Sequence, residues 1–109
     1  DIIINMMIEI TETQQLNEIL SKNSAVVLDF YAQWCAPCRQ LMPVLTEISE
    51  DMKNIVFCKI NVDDNSEISS KYGVRSIPTV KYIKDGEVVD TSMGMQPKQN
   101  ILEHLEKLK

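Results

Sequence analysis

The sequence predicts one α/β domain whose helices cover both faces of a central sheet, with parallel strands first and an antiparallel hairpin last. Its 109 residues suit a single hydrophobic core, and its 44% hydrophobic and 25% charged residues are typical of globular domains. Strand and helix patterns alternate in the order βαβαβαββα, and Ala25–Tyr31 has the composition of a strand covered on both faces. The expected architecture is therefore a three-layer α/β/α sandwich.

The first strand and helix come before this apolar segment. Met6–Ile10 predicts a short strand, and Thr11 is the expected helix cap, with Gln14 three residues later. The helix itself is indicated by apolar residues at helical spacing, which are Leu16, Ile19 and Leu20. Ala25–Tyr31 then follows as the candidate central strand.

A long helix is predicted to begin at Cys35. One apolar stripe runs along it at steps of four and three residues, formed by Leu41, Leu45, Ile48 and Met52. Pro43 lacks a backbone donor and clashes with the preceding turn, so a kink is expected near residues 39–43. Because the stripe resumes in phase, Pro43 is not expected to break the helix.

The next segments predict a second buried strand and a crossover helix. Ile55–Val62 is rich in β-forming residues, and Asn65–Tyr72 has the length of a short helix. Gly73 suits the left-handed residue that commonly ends such a helix.

A hairpin and a last helix complete the predicted fold. Thr79–Lys84 and Glu87–Thr91 flank the dipeptide Asp85-Gly86, which favours a tight antiparallel turn. Pro97 can start the last helix, whose apolar residues are Ile101, Leu102, Leu105 and Leu108.

The charge balance disfavours several classes of partner. Sixteen acidic and eleven basic residues give a net charge of −5, so no overall basic field attracts nucleic acid or anionic membranes. The apolar run Ile2–Ile4 is too short for a signal peptide or a membrane span, and a cytoplasmic setting is expected. Residues 1–5 are taken as an extension without function, and residues 6–109 as the domain.

The three cysteines provide the most informative chemical feature. Cys35-Ala36-Pro37-Cys38 lies at the first turn of the predicted helix, where free N–H groups and the helix dipole stabilise a thiolate on Cys35. The three-residue spacing places both sulfurs on one side, so Cys35 is the predicted nucleophile and Cys38 the resolving thiol. The alternative is half of a zinc site, with the unpaired Cys58 and His104 as the remaining candidate ligands.

Asp29 is an acid within the apolar segment Ala25–Tyr31. Burial of an unpaired carboxylate is costly, so its pKa is expected to be raised. One interpretation makes Asp29 the general base that accepts the Cys38 proton, through a water molecule. The alternative is a structural carboxylate held by Lys59, and Lys59 could serve both arrangements by tuning Asp29.

Two segments carry a family resemblance. Residues 29–38 read DFYAQWCAPC, residues 76–79 read SIPT, and Gly94 follows them. In this order they resemble the thioredoxin family, and the similarity covers Met6–Lys109. The resemblance implies a five-stranded mixed sheet with four helices, and a cis Ile77–Pro78 bond facing the cysteines. An ordinary trans proline opening a strand is the alternative.

The resemblance also implies a binding surface and a redox cycle. A flat apolar patch for protein disulfides would consist of Trp34, Ala36, Pro37, Ile77, Pro78 and Gly94, although Trp34 could instead pack in the core. No bound cofactor is expected beyond a redox-active disulfide. Electrons would come from NADPH through a thioredoxin reductase, and the protein would be a monomer.

Two departures from the commonest family pattern are Ala36, where glycine is usual, and Tyr31, where tryptophan is frequent. Met93 and Met95 could form an adaptable surface or fill the core. Cys58 is expected to be a buried inert thiol, and His104 a solvated surface residue.

The expected activity is reduction of client protein disulfides by exchange through Cys35 and Cys38. Two other functions stay open: a thiol oxidase or disulfide isomerase of the same fold, and a redox-independent protein-binding module.

Overall fold

The computed structural model describes residues 7–109. Met6 and the extension 1–5 lie outside this range, so their predicted roles are not tested. The elements in chain order are β1 (Ile8–Ile10), α1 (Thr13–Lys22), β2 (Ala25–Tyr31), α2 (Ala36–Asp51), β3 (Val56–Asn61), α3 (Ser66–Lys71), β4 (Thr79–Lys84), β5 (Glu87–Met93) and α4 (Lys98–Leu105), followed by a 3₁₀ turn (Glu106–Leu108). The predicted order of elements is confirmed.

The five strands form one mixed sheet in the order β1-β3-β2-β4-β5. Strands β1, β3 and β2 are parallel, whereas β4 is antiparallel to both β2 and β5. All seven residues of β2 are buried, as expected for the central strand. The carboxyl end of β2 therefore leads the chain from the middle of the sheet directly into the cysteine segment.

Two hydrophobic clusters cover the two faces of the sheet. On one face Val27 packs with Leu41 and Leu45 of α2, and with Ile101 of α4. The opposite cluster includes Val26, Leu28 and Phe30 of β2, Leu16 of α1 and Ile68 of α3. This confirms the three-layer sandwich. Alternation along β2 places Asp29 on the same face as Val27, towards α2.

Two predicted turns have the backbone geometry their residues favour. Gly73 has φ of +66°, its N–H donates to the Ser70 carbonyl, and the Val74 N–H donates to the Ser69 carbonyl. These two bonds form a Schellman motif at the end of α3. Asp85 and Gly86 have φ of 50° and 86°, the positive values that a two-residue hairpin turn of this type requires.

The start of the first helix differs from its prediction. Glu12 is the N-cap of α1 and its side chain makes no capping hydrogen bond. The Thr11 N–H instead donates to Gln15 Oε1 at 2.8 Å, while Gln15 Nε2 donates to the Glu9 carbonyl at 3.0 Å. The prediction of a Thr11 cap with Gln14 is therefore wrong, because Gln15 bridges β1 and the loop before α1.

The prediction of a solvated His104 is also wrong. His104 is half-buried; Nδ1 of its ring contacts the Asp90 carboxylate on β5, and the ring stacks on Tyr82 with centroids 5.0 Å apart. His104 belongs to the polar side of α4 in the sequence pattern, but the packing of α4 against β5 partly covers it. Cys58 is fully buried, and burial raises the pKa of its thiol to about 12, as expected for an inert cysteine.

Helix α2 continues through Pro43 from Ala36 to Asp51, so the prediction that proline does not break it is confirmed. No helix within residues 7–109 has the length and apolar character needed to cross a membrane.

Candidate active site

The cysteine pair lies where the central strand passes into α2. Cys35 is the N-cap residue of α2, and its sulfur accepts the Cys38 N–H at 3.2 Å. The two cysteines form a disulfide with their Cα atoms 5.2 Å apart. The expectation that the spacing brings both sulfurs together is confirmed.

The start of α2 favours negative charge on the Cys35 sulfur. Pro37 is the second residue of α2. In the first turn of a helix the backbone N–H groups have no partner within the helix, so the missing N–H of proline costs no helical hydrogen bond. The remaining N–H groups and the positive end of the helix dipole point towards Cys35. Once the disulfide is reduced, these N–H groups and the helix dipole stabilise a thiolate on Cys35.

Asp29 is fully buried, and neither carboxylate oxygen has a hydrogen-bond partner within the described chain. Burial raises its pKa to about 7, a rise that the positive charge of Lys59 partly opposes. The predicted direction of the pKa shift is confirmed. A carboxyl group that titrates near neutral pH can both take up and give away a proton under physiological conditions.

Lys59 is Asp29's register neighbour on β3, but the two do not form an ion pair. The Lys59 ammonium lies 3.6 Å from Glu9 Oε1 and 6.0 Å from the centre of the Tyr31 ring. The interpretation of Asp29 as a carboxylate held by a Lys59 salt bridge is therefore wrong. Lys59 acts on Asp29 only through its charge at longer range.

A cleft of about 260 Å³ opens beside the disulfide. Cys38 and Lys59 are among its lining residues, together with Glu9, Tyr31, Ala32, Gln33, Arg39 and Met42. Its volume is sufficient for several water molecules, and its walls offer charged and hydroxyl groups for them to bind. Solvent can therefore reach the Cys38 side of the disulfide.

Trp34 is 68% exposed, and its indole N–H donates to Asp63 Oδ2 at 2.9 Å. The alternative that Trp34 packs in the core is wrong. Ala36 and Pro37 beside it are exposed as well. These three residues form an open surface on one side of the disulfide.

The Ile77–Pro78 peptide bond is cis, as the resemblance implied. Ile77 is half-buried and packs against the cluster that contains Cys35 and Cys38. Pro78 is buried, and its carbonyl accepts the N–H of the half-buried Gly94 at 2.8 Å. The structure thus brings Ile77 and Gly94 to the rim of the open surface, and Pro78 contributes its backbone beneath them.

Four residues whose positions the structure shows were missed or left undecided by the sequence-based predictions. Met93 and Met95 are 62% and 40% exposed, so they do not fill the core. Asp63 and Glu9 carry no local motif. Asp63 lies beside Trp34 because the loops after β2 and β3 are adjacent, and Glu9 lies beside Lys59 because of the β1–β3 register.

The four residues of the alternative zinc site do not converge. Cys58 belongs to the core cluster on the opposite face of the sheet from Asp29, and His104 contacts Asp90. Within residues 7–109 no group of three or more His, Cys, Asp or Glu side chains is arranged to hold a metal ion.

Comparisons with known proteins give a consistent result. The family model described as Thioredoxin matches residues 7–107. A thioredoxin of Mycoplasmoides gallisepticum is 46% identical over 99 residues, covering 91% of this chain and 99% of that protein. The thioredoxin of Bacillus subtilis is 44% identical over 96 residues, with 87% and 92% covered. The solved structure of a mutant thioredoxin from Halobacterium salinarum superimposes with a TM-score of 0.90 at 32% identity, covering 99% of this chain and 95% of that one.

Proposed function

The chain belongs to the thioredoxin family of thiol-disulfide oxidoreductases, and on this premise we propose that it reduces protein disulfides through Cys35 and Cys38. One observation carries the proposal. The disulfide lies at the start of α2, with a cleft on the Cys38 side, and on the same face of the sheet lies a buried acid that has no hydrogen-bond partner within residues 7–109. This combination supplies an activated nucleophile, a second thiol and a proton acceptor.

The reaction begins from the reduced protein. The Cys35 thiolate attacks one sulfur of a client disulfide, a mixed disulfide forms, and the other client sulfur leaves as a thiolate. Cys38 then loses its proton and attacks the Cys35 sulfur, which releases the second client sulfur. The client gains two electrons, and the protein gains the Cys35–Cys38 disulfide.

Asp29 is the proposed acceptor of the Cys38 proton. Asp29 is fully buried and is not among the residues that line the cleft, so the proposed route runs through a water molecule between the cleft and the Asp29 carboxylate. Lys59 tunes this step by favouring the charged form of Asp29. A base whose pKa is near the working pH is well matched to proton transfer from a thiol.

Clients would dock on the open surface beside the disulfide. Trp34, Ala36 and Pro37 supply exposed contact area, and the edge at Ile77 and Gly94 supplies backbone for strand-like pairing with an extended client segment. Pro78 would hold that edge in position next to the cysteines.

An external dithiol must return the protein to its reduced form. For this chain we propose a thioredoxin reductase that passes electrons from NADPH, with no cofactor bound to the chain itself. Reduction of client disulfides suits a reducing compartment, and the cytoplasm is the proposed location. The protein would act as a monomer with transient client complexes.

Reduction of insulin tests the function, with dithiothreitol as the electron source and substitutions at each cysteine. Cys35→Ser is expected to lose catalysis entirely, because no nucleophile attacks the client. Cys38→Ser is expected to keep the first attack and, when the reduced protein is mixed with insulin in the absence of dithiothreitol, to accumulate mixed disulfides. Full activity of Cys35→Ser would reject the proposed function, as would a wild-type protein that does not accelerate the reduction.

A further inference from the structure

Three charged residues of alternating sign form one row across the parallel strands. Lys59 of β3 is in register with Glu9 of β1 on one side and with Asp29 of β2 on the other. Residues at the same register position point to the same face of a sheet. Lys59 is therefore placed between two carboxylates, only one of which it contacts.

The contacts around Glu9 show that the Lys59 ammonium binds the Glu9 carboxylate and not that of Asp29. The Lys59 ammonium lies 3.6 Å from Glu9 Oε1, and the Tyr31 hydroxyl donates to both Glu9 oxygens at 2.9 Å. Burial, reinforced by the hydrogen bond to Glu9, raises the pKa of Tyr31 to about 12, so the hydroxyl keeps its proton and donates at neutral pH. Glu9 is thus anchored by a neutral donor while it binds the ammonium.

We propose that Glu9 is a positioning residue for proton transfer from Cys38: it keeps the Lys59 ammonium on the β1 side of Lys59, so that Asp29 has no ion-pair partner among the described residues. This inference rests on the proposed function. Glu9 touches neither client nor cysteine and acts through Lys59. An unpaired Asp29 accepts a proton more readily than one bound to an ammonium group.

Several other titratable or charged groups face Asp29 or line the cleft beside the disulfide. Tyr31 on the same strand and Tyr82 on β4 both interact with the Asp29 charge, but their pKa values of about 12 keep them neutral. From α2, Cys38 and Arg39 line the cleft, and Arg39 is bound through Nη1 to the Gln33 carbonyl at 2.7 Å. Among the described residues around Asp29, Glu9 and Lys59 are therefore the charged pair placed to change its proton affinity.

Removal of the Glu9 charge frees the Lys59 ammonium to approach Asp29. A closer opposite charge favours the charged form of Asp29. In Glu9→Gln, the low-pH side of the pH–rate profile for the attack by Cys38 should therefore move to lower pH by about one unit. A shift of this size is typical of a newly available opposite charge.

The experiment measures single-turnover release of client thiol from insulin between pH 5 and pH 9, a window of about two units on either side of neutrality. The Cys38→Ser background reports the first attack separately, so the pH profile of the second step can be isolated. Glu18→Gln is the matched control, because it removes the same charge at an exposed position of α1. The carboxyl signal of Asp29, followed by ¹³C NMR, gives a direct second measurement.

Two further variants separate positioning from general structural damage. Glu9→Asp keeps the charge and should restore most of the wild-type profile. In a Lys59→Met background Glu9→Gln should produce a much smaller shift, because the route through Lys59 is missing. If Glu9→Gln does not fold, Glu9→Thr carries the same test with a side chain that suits a strand.

The results distinguish the two proposals. Glu9→Gln and wild-type profiles that coincide, with unchanged Asp29 titration, would overturn the role of Glu9 and leave the proposed function standing. An equal shift with and without Lys59 would also overturn it. A wild-type protein that does not reduce insulin would instead reject the function itself.

Discussion

Trp34 and Asp63 are 29 residues apart in the chain, yet the indole N–H of one donates to the carboxylate of the other at 2.9 Å. Asp63 is itself held by its backbone N–H, which donates to Asn61 Oδ1 at 2.9 Å at the end of β3. This hydrogen bond orients a large aromatic side chain that is 68% exposed. Asp63 thereby sets the shape of the surface beside the disulfide.

The first prediction concerns this link. Asp63→Ala should leave the fold intact and lower kcat/KM for a protein client about fivefold, the equivalent of roughly 1 kcal/mol for one lost hydrogen bond. The loss should appear in KM, because the chemistry at Cys35 is unchanged. Steady-state kinetics with insulin measures it, and the neighbouring exposed Asp64→Ala is the control. Equal kinetics for both variants would contradict the role of Asp63.

Asp29 should make the protein less stable at high pH. Burial raises its pKa from 3.8 to about 7 in the folded state, so the unfolded chain loses this proton first. Between about pH 4 and pH 7 the folded state holds more protons, and the free energy of unfolding falls as the pH rises. Its contribution is lost above the folded pKa.

Asp29→Asn should remove that dependence. At pH 8 the variant should exceed the wild type in free energy of unfolding by up to about 4 kcal/mol, whereas at pH 4 the two should be similar. Urea denaturation of the oxidised proteins at both pH values provides the comparison. A constant difference between the two proteins across the pH range would contradict the raised pKa.

The redox potential of Cys35 and Cys38 should be that of a reductant. Thioredoxin itself has a value of about −270 mV, and we expect this chain to equilibrate near that value in graded thiol buffers. Ala36 between the cysteines is expected to cause only a modest shift. A potential above roughly −200 mV would instead favour the oxidase or isomerase alternative.

The three cysteines should differ sharply in reactivity. Cys58 is fully buried and its pKa is raised to about 12, so its thiolate is scarce at neutral pH. In the reduced native protein, Cys35, whose thiolate is stabilised at the start of α2, should react with a thiol reagent and Cys58 should not. Mass spectrometry after alkylation checks this, and labelling in urea is the control in which all three react. Rapid native labelling of Cys58 would contradict its burial.

Much of the fold follows from local patterns in the chain. The apolar composition of Ala25–Tyr31 predicted a strand covered on both faces, and the structure has every residue of β2 buried. Asp85 and Gly86 predicted the tight hairpin, because few residues other than glycine and the small polar ones tolerate its positive φ angles. The misplaced Thr11 cap shows where local rules fail, since Gln15 receives a hydrogen bond from outside its helix.

The sequence by itself determined the chemistry of this protein: two thiols one helical turn apart at a helix start, and an acid inside an apolar strand. Both features depend on spacing along the chain, which local backbone geometry converts directly into position. Only the tertiary structure decided which groups surround them. Glu9 meets Lys59 because β1 pairs with β3 in one register, and Trp34 meets Asp63 because the loops after β2 and β3 are adjacent. Strand order and register are set by packing of the whole core, which no local pattern specifies.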